Sequence, residues 1–198
     1  MYTSNLSWKN SLISAFRSLI FWLYFCLLGA NNTIGQDLIE KGKYIFHASG
    51  GCSCHTDTKN DGAFLAGGRP INTPFGTFFG TNISPDPATG IGKWTDEDFV
   101  RAMTKGLSPE GNHYFPVFPY TSFHNITQED LIALKAYLFS IPAVNQKNIS
   151  HDLILPFGRQ ALIKIWKNVV WSPRPIISNP EQTESWNRGA YIAQALAH

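Results

Sequence analysis

At 198 residues and 22.1 kDa the chain has room for one good hydrophobic core, or for one small domain with sizeable extensions. Charged residues make up 15% and aromatics 14%, which excludes a coiled coil or a disordered acidic tail and points to a loop-rich, aromatic-rich globule. The formal charge of +2 falls to roughly zero without the first thirty residues, which hold Lys9 and Arg17 and no acid, so nucleic acid is excluded as an expected partner.

Lys9 and Arg17 precede an apolar run from Leu19 to Ala30. Twelve residues fall short of a membrane span, which needs about 20. A basic start, a short apolar stretch and small residues at Gly29 and Ala30 read as a secretory signal cleaved near Ala30, although Leu28 is bulky for such a site. Retention as a membrane anchor and a buried core helix are the alternatives. Residues 1–30 are therefore read as a signal peptide or N-terminal membrane anchor, with Cys26 inside it and Phe25 unsuited to a lipoprotein signal.

From Asp37 to Ala48, the residues Leu38, Ile39, Tyr44, Ile45 and Phe46 carry helical spacing, and Gly42 implies a close helix crossing, since a mid-helix glycine otherwise costs stability. Gly50-Gly51-Cys52-Ser53-Cys54-His55 follows. Two thiols beside an imidazole suit covalent attachment of haem c: cysteine sulfur adds to the vinyl groups and the adjacent histidine takes one axial position on iron. The stretch resembles the C-x-x-C-H motif with one residue missing. Cys52 and Cys54, two apart, point to opposite sides of a regular backbone, so the Cys54 thioether and the His55 ligand are expected outright, and the Cys52 thioether requires a distorted loop that the glycines can supply. A disulfide or a zinc site is the alternative, but no second Cys/His pair at finger spacing follows.

Glycines and prolines between Thr58 and Trp94 predict a long loop with turns, which would wrap Leu65, Phe75, Phe78 and Ile83 over a cofactor edge. Arg69 and Asn82 could approach the propionates, or Arg69 could simply be solvated. Thr95, with Asp98 three residues on, predicts a helix N-terminus; Phe99, Ala102 and Met103 form its apolar face and Gly106 ends it. A second helix is predicted from Thr127, with Leu131, Leu134, Tyr137 and Leu138 on one face, ending before Pro142 and meeting the first helix where Gly42 faces Tyr137. Between these two helices lies a proline-broken stretch, Gly111 to Tyr120, suited to closing the other haem face.

Beyond Pro142, Leu162, Ile165, Trp166, Val169 and Val170 fall on one helical face, with Arg159, Lys164 and Lys167 interrupting any membrane span. This amphipathic segment could lie on a membrane surface, dock on a dehydrogenase subunit or cover a second domain. Ser172-Pro173-Arg174-Pro175 is a spacer. Finally, Arg188-Gly189-Ala190-Tyr191-Ile192 with Ala195 repeats Lys41-Gly42-Lys43-Tyr44-Ile45 with Ala48.

These features, with Thr73-Pro74-Phe75-Gly76, Asn82-Ile83-Ser84-Pro85-Asp86 and Gly90-Ile91-Gly92, make the chain after residue 30 resemble the first half of multi-haem cytochrome c subunits of membrane-bound alcohol, gluconate and related dehydrogenases. The expected fold is mainly α: a small cytochrome c-like domain over residues 36–144 with long loops wrapping one covalent haem c. A C-terminal helical extension over 145–198 would hold a linker, the amphipathic segment and the start of an incomplete second cytochrome domain, apparently truncated before a second haem motif. Tyr191, Ile192 and Leu196 are then expected to be exposed or poorly ordered. In the resembling family a methionine before Pro-Tyr supplies the sixth iron ligand. Here Phe118 holds that place, leaving Met103 and His113 as candidates, with His124 behind them. The resemblance implies an electron carrier, not a catalyst of bond chemistry, on the periplasmic side of the bacterial inner membrane. A dehydrogenase subunit would be its donor and a quinone or cytochrome oxidase its acceptor. An open sixth position would instead imply a gas sensor or peroxidase.

Overall fold

In the computed structural model, residues 35–197 are described, and from Ile39 onward the chain forms one compact unit. The expected signal or anchor at residues 1–30 lies outside the described residues. Among the described residues, no helix is long and apolar enough to cross a membrane.

The fold is mainly helical. Helix α1 covers residues 35–48 and buries Ile45 and Phe46. Helix α2, Asp96–Lys105, begins in a reciprocal cap: the Thr95 hydroxyl accepts from the Asp98 amide while the Asp98 carboxylate accepts from the Thr95 amide. It ends at Gly106 in the left-handed region (φ 56°), and it buries Phe99, Ala102 and Met103. After a one-turn helix α3, Tyr120–Phe123, helix α4 runs Gln128–Ser140 from a Thr127 cap and buries Leu131, Ala133, Leu134 and Leu138.

The crossing of α1 over α4 falls where the sequence places it. A Cβ built on Gly42 would run into the Ala133 carbonyl and lie 2.8 Å from Tyr137 Cβ, so only glycine lets the backbones approach this closely. Phe46 then stacks on Tyr137 with ring centroids 5.1 Å apart. Lys135 on α4 reaches Asp96 at the start of α2 at 2.5 Å.

The expected loop from Thr58 to Trp94 contains a hairpin that turn signals alone did not reveal. Strand β1, Pro70–Thr73, pairs antiparallel with β2, Gly76–Phe79, with Ile71 opposite Phe78. The Thr73 hydroxyl closes the turn, donating to the Gly76 carbonyl and accepting from the Phe75 amide. A two-residue strand β3, Asp152–Leu153, adds to the other edge of β2.

The C-terminal part holds two helices, and the second overturns the expectation that Tyr191, Ile192 and Leu196 are exposed or poorly ordered. Helix α5, Gln160–Val169, buries Ile163 and Lys167, whereas Leu162, Ile165, Val169 and Val170 face solvent. The reason is polar: Lys167 Nζ donates to the Lys105 and Gly106 carbonyls at the end of α2, the second of which also accepts from the Tyr114 amide, and lies 4.7 Å from the Tyr120 ring centre. Helix α6, Glu184–Tyr191, and the wider turn Ile192–Leu196 are packed, not loose, and Leu196 is 0% exposed within the core formed by α1, α2 and α4. Tyr191 is held by hydrogen bonds to Thr127 and Asp130.

Candidate haem-attachment site

The attachment stretch follows α1 directly, where the Ser49 hydroxyl closes the helix end on the Phe46 carbonyl. The chain then runs through three successive left-handed residues: Gly50 (φ 82°), Gly51 (φ 67°) and Cys52 (φ 50°). A cysteine in this region is strained, so the turn exists only because its surroundings hold it. This is the distortion that the shortened spacing requires. Cys52 ends half-buried against the core, and Cys54 is exposed. Among the described residues neither is joined in a disulfide. Burial, with Cys54 adding, pushes the Cys52 thiol up to about 12.

Two backbone segments brace the motif. From one side the Gly67 amide donates to the His55 carbonyl at 2.8 Å, the Leu65 amide to the Thr56 hydroxyl, and Arg69 Nη1 to the Ser53 carbonyl at 2.8 Å. From the other, Gly80 passes so close that a side chain there would strike the Cys54 carbonyl. The next residue supplies the decisive contact: His55 Nδ1 sits 2.7 Å from the Thr81 carbonyl oxygen. An acceptor there requires the proton on Nδ1 and leaves the Nε2 lone pair for a metal. Desolvation pulls the imidazole below its ordinary value, opposed in part by the Thr81 bond. A neutral, oriented histidine beside two free thiols is the donor set that a c-type haem takes, so the residues fit the group. Among the described residues, no three His, Cys, Asp or Glu side chains gather into a metal cage, so the zinc alternative lacks a donor set.

The candidate sixth ligands are separated by the fold. Met103 is buried in the same apolar cluster against which Cys52 and Phe118 pack. His113 lies elsewhere: its amide donates to Gln160 Oε1 at 3.0 Å, and it bridges to Leu107. Its Nδ1 is buried without a hydrogen-bond partner, and desolvation together with Lys167 and Lys164 pulls the ring below its usual value. Both nitrogens of His124 face carbonyls, Thr121 at 2.8 Å and Arg174 at 3.2 Å, so both sides of this ring are already engaged by the chain. Phe118 is edge-on to Tyr114, Tyr120 and Phe123. Asn82 is occupied as well, donating to Thr89, Val144 and Gln146. Sequence reading missed the Thr81 carbonyl, because a main-chain acceptor has no residue-type signature. It also missed Tyr120, whose buried hydroxyl lacks a partner and is pushed up to about 12 by burial.

Among curated proteins, the chain is 41% identical over 162 residues to a subunit of nicotinate dehydrogenase from Pseudomonas putida, covering 81% of this chain and 13% of that protein. It is 39% identical to a diheme cytochrome c-type protein of Cereibacter sphaeroides, covering 80% of this chain and 54% of the relative. It is 35% identical to the fructose dehydrogenase cytochrome subunit of Gluconobacter japonicus, covering 81% and 33%. The chain is a homologue of dehydrogenase cytochrome c subunits. It spans about half or less of the length of these relatives. No family model matches it. Cytochrome c character, haem and electron transfer thus stand at the level of this homology, in agreement with the resemblance carried by the motif and loop residues.

Proposed function

We propose that this chain carries single electrons through one covalently attached haem c, as the cytochrome component of a dehydrogenase system on the periplasmic side of the bacterial inner membrane. The haem supplies the reversible one-electron iron couple. Residues 36–144 hold it, with Cys54 and Cys52 as thioether donors and His55 as the proximal ligand. The observation that carries the reading is the His55 Nδ1 contact with the Thr81 carbonyl, which leaves the Nε2 lone pair for iron. A dehydrogenase donor follows from what the relatives are named, and a quinone or cytochrome oxidase is the acceptor proposed with it. Chain residues set the potential through burial and hydrogen bonding, and do no bond chemistry themselves.

Met103 is the proposed sixth ligand, since it shares the apolar cluster with Cys52, whereas His113 is pinned beside α5. Protein exported to the periplasm should show a c-type optical spectrum, with haem retained on a denaturing gel; absence of retained haem overturns the proposal. The oxidised protein should show the weak near-infrared band of sulfur ligation, and Met103→Leu should remove it. A band that survives Met103→Leu excludes Met103, and loss of a bis-histidine spectrum in His113→Ala would assign His113 instead. The second reading, a gas sensor or peroxidase, is favoured by one observation: Phe118, with no lone pair, packs among three aromatic rings where a methionine is expected. Rapid carbon monoxide binding by the reduced protein would support it.

A further inference from the structure

We propose that the outward face of α5 is a docking surface for an anionic lipid bilayer. The helix is amphipathic in the wrong sense for a soluble domain. Of its two lysines, Lys167 points inward to the α2 carbonyls and the Tyr120 ring, while Ile165 is 58% and Val169 78% exposed, with Leu162 beside them. Rotating α5 to bury these apolar residues would strip Lys167 of its acceptors, so the orientation is locked. The loop before it continues the apolar surface, with Leu155 74% exposed. A patch of this kind marks an interaction site.

Charge selects the occupant. Between residues 145 and 180, Lys147, Arg159, Lys164 and Arg174 are exposed cations, and Asp152 is the sole acid. Arg159 stands at the helix start and Lys164 within it, flanking the apolar stripe, while Trp166 is partly buried at its edge. An apolar stripe bordered by cations and an indole is the pattern of a helix lying in the plane of a bilayer interface, the cations reaching anionic headgroups. Ten residues are too few to span.

The test uses the full chain and does not depend on bound haem, so it stands or falls separately from the electron-transfer reading. Hydrogen exchange of residues 160–171 is followed with vesicles of phosphatidylcholine alone, or of phosphatidylcholine with phosphatidylglycerol. Exchange should slow only on the anionic vesicles, and high salt should weaken the effect. The double variant Ile165→Gln, Val169→Gln, altered only at exposed positions, should lose this slowing and bind anionic vesicles about tenfold more weakly. Four outcomes overturn the proposal: no vesicle binding; binding with unchanged exchange at 160–171, which would place the contact elsewhere in the chain; equal slowing on neutral vesicles; or slowing that needs only protein concentration, which would make a second copy the occupant.

Discussion

Cys52 and Cys54 are two positions apart yet meet different surroundings, one against the core and the other in solvent. The left-handed turn through Gly50, Gly51 and Cys52 creates that asymmetry. An exposed thiol next to the oriented His55 is the easier one to join to haem, and the half-buried one depends on the turn being held. Cys54→Ala should therefore abolish covalent haem while Cys52→Ala leaves a fraction, measured by haem staining on denaturing gels; equal and total loss would remove the ranking, and full retention in Cys54→Ala would sink the attachment site. At this scale, residue type made the motif legible, because thiols and an imidazole at these spacings have few other uses. The bracing was not legible: the Thr81 carbonyl and the Arg69 bond to the Ser53 carbonyl arise from chain folding and carry no signature in the side chains.

Helices announce themselves when they begin in a cap and repeat an apolar spacing, and this is why α2 and α4 were readable from Thr95 and Thr127. The hairpin was less readable, since β1 and β2 are four residues each and their partner β3 comes from far along the chain. Helix α6 had the clearest motif and the least foreseeable place, because one buried acid fixes it. Asp130 takes Lys41 at 2.7 Å on one oxygen, and Arg188 at 3.2 Å and the Tyr191 hydroxyl at 2.9 Å on the other. Burial would raise this carboxyl, but the hydrogen bonds from Lys41, Tyr191 and Arg188 outweigh it and hold it below the ordinary carboxylate value. A depressed acid stabilises the fold in full above its unfolded pKa and loses that contribution as pH falls through the folded one. The docking of α6 should thus be intact at neutral pH and lost only in acid below the usual Asp value of about 3.9. Asp130→Asn should cost about 1–3 kcal/mol at pH 7, read from denaturant midpoints, and progressively less as the pH falls below the usual Asp value; an unchanged midpoint at pH 7 would show that the node is not what holds α6.

For the molecule as a whole, the core is closed by segments that are distant in sequence: Ile45 and Phe46 from α1, Leu131 and Leu134 from α4, and Leu196 from the end of the described chain. The repeated motif lies at both ends of this arrangement. Lys41 and Arg188, equivalent by the repeat, grip opposite oxygens of the same carboxylate, and Arg188 lies 5.7 Å from the ring of Tyr44 and 4.9 Å from that of Tyr191, themselves equivalent. The sequence made the likeness visible but not this meeting, because periodicity reports local spacing and says nothing of which face a helix presents. The glycines of the two copies expose the difference. Gly42 is pressed onto the Ala133 carbonyl, whereas a Cβ on Gly189 would meet nothing within 4 Å. In an open helical position, alanine gains about 0.5–1 kcal/mol over glycine by restricting the unfolded chain. At a closed crossing the same methyl must push two backbones apart, an overpacking that costs about 1–3 kcal/mol or more and outweighs the gain. Gly189→Ala should therefore raise the denaturation midpoint and Gly42→Ala lower it, two identical substitutions at matched positions with opposite signs. If both move the midpoint the same way, the α1–α4 crossing is not governed by the glycine.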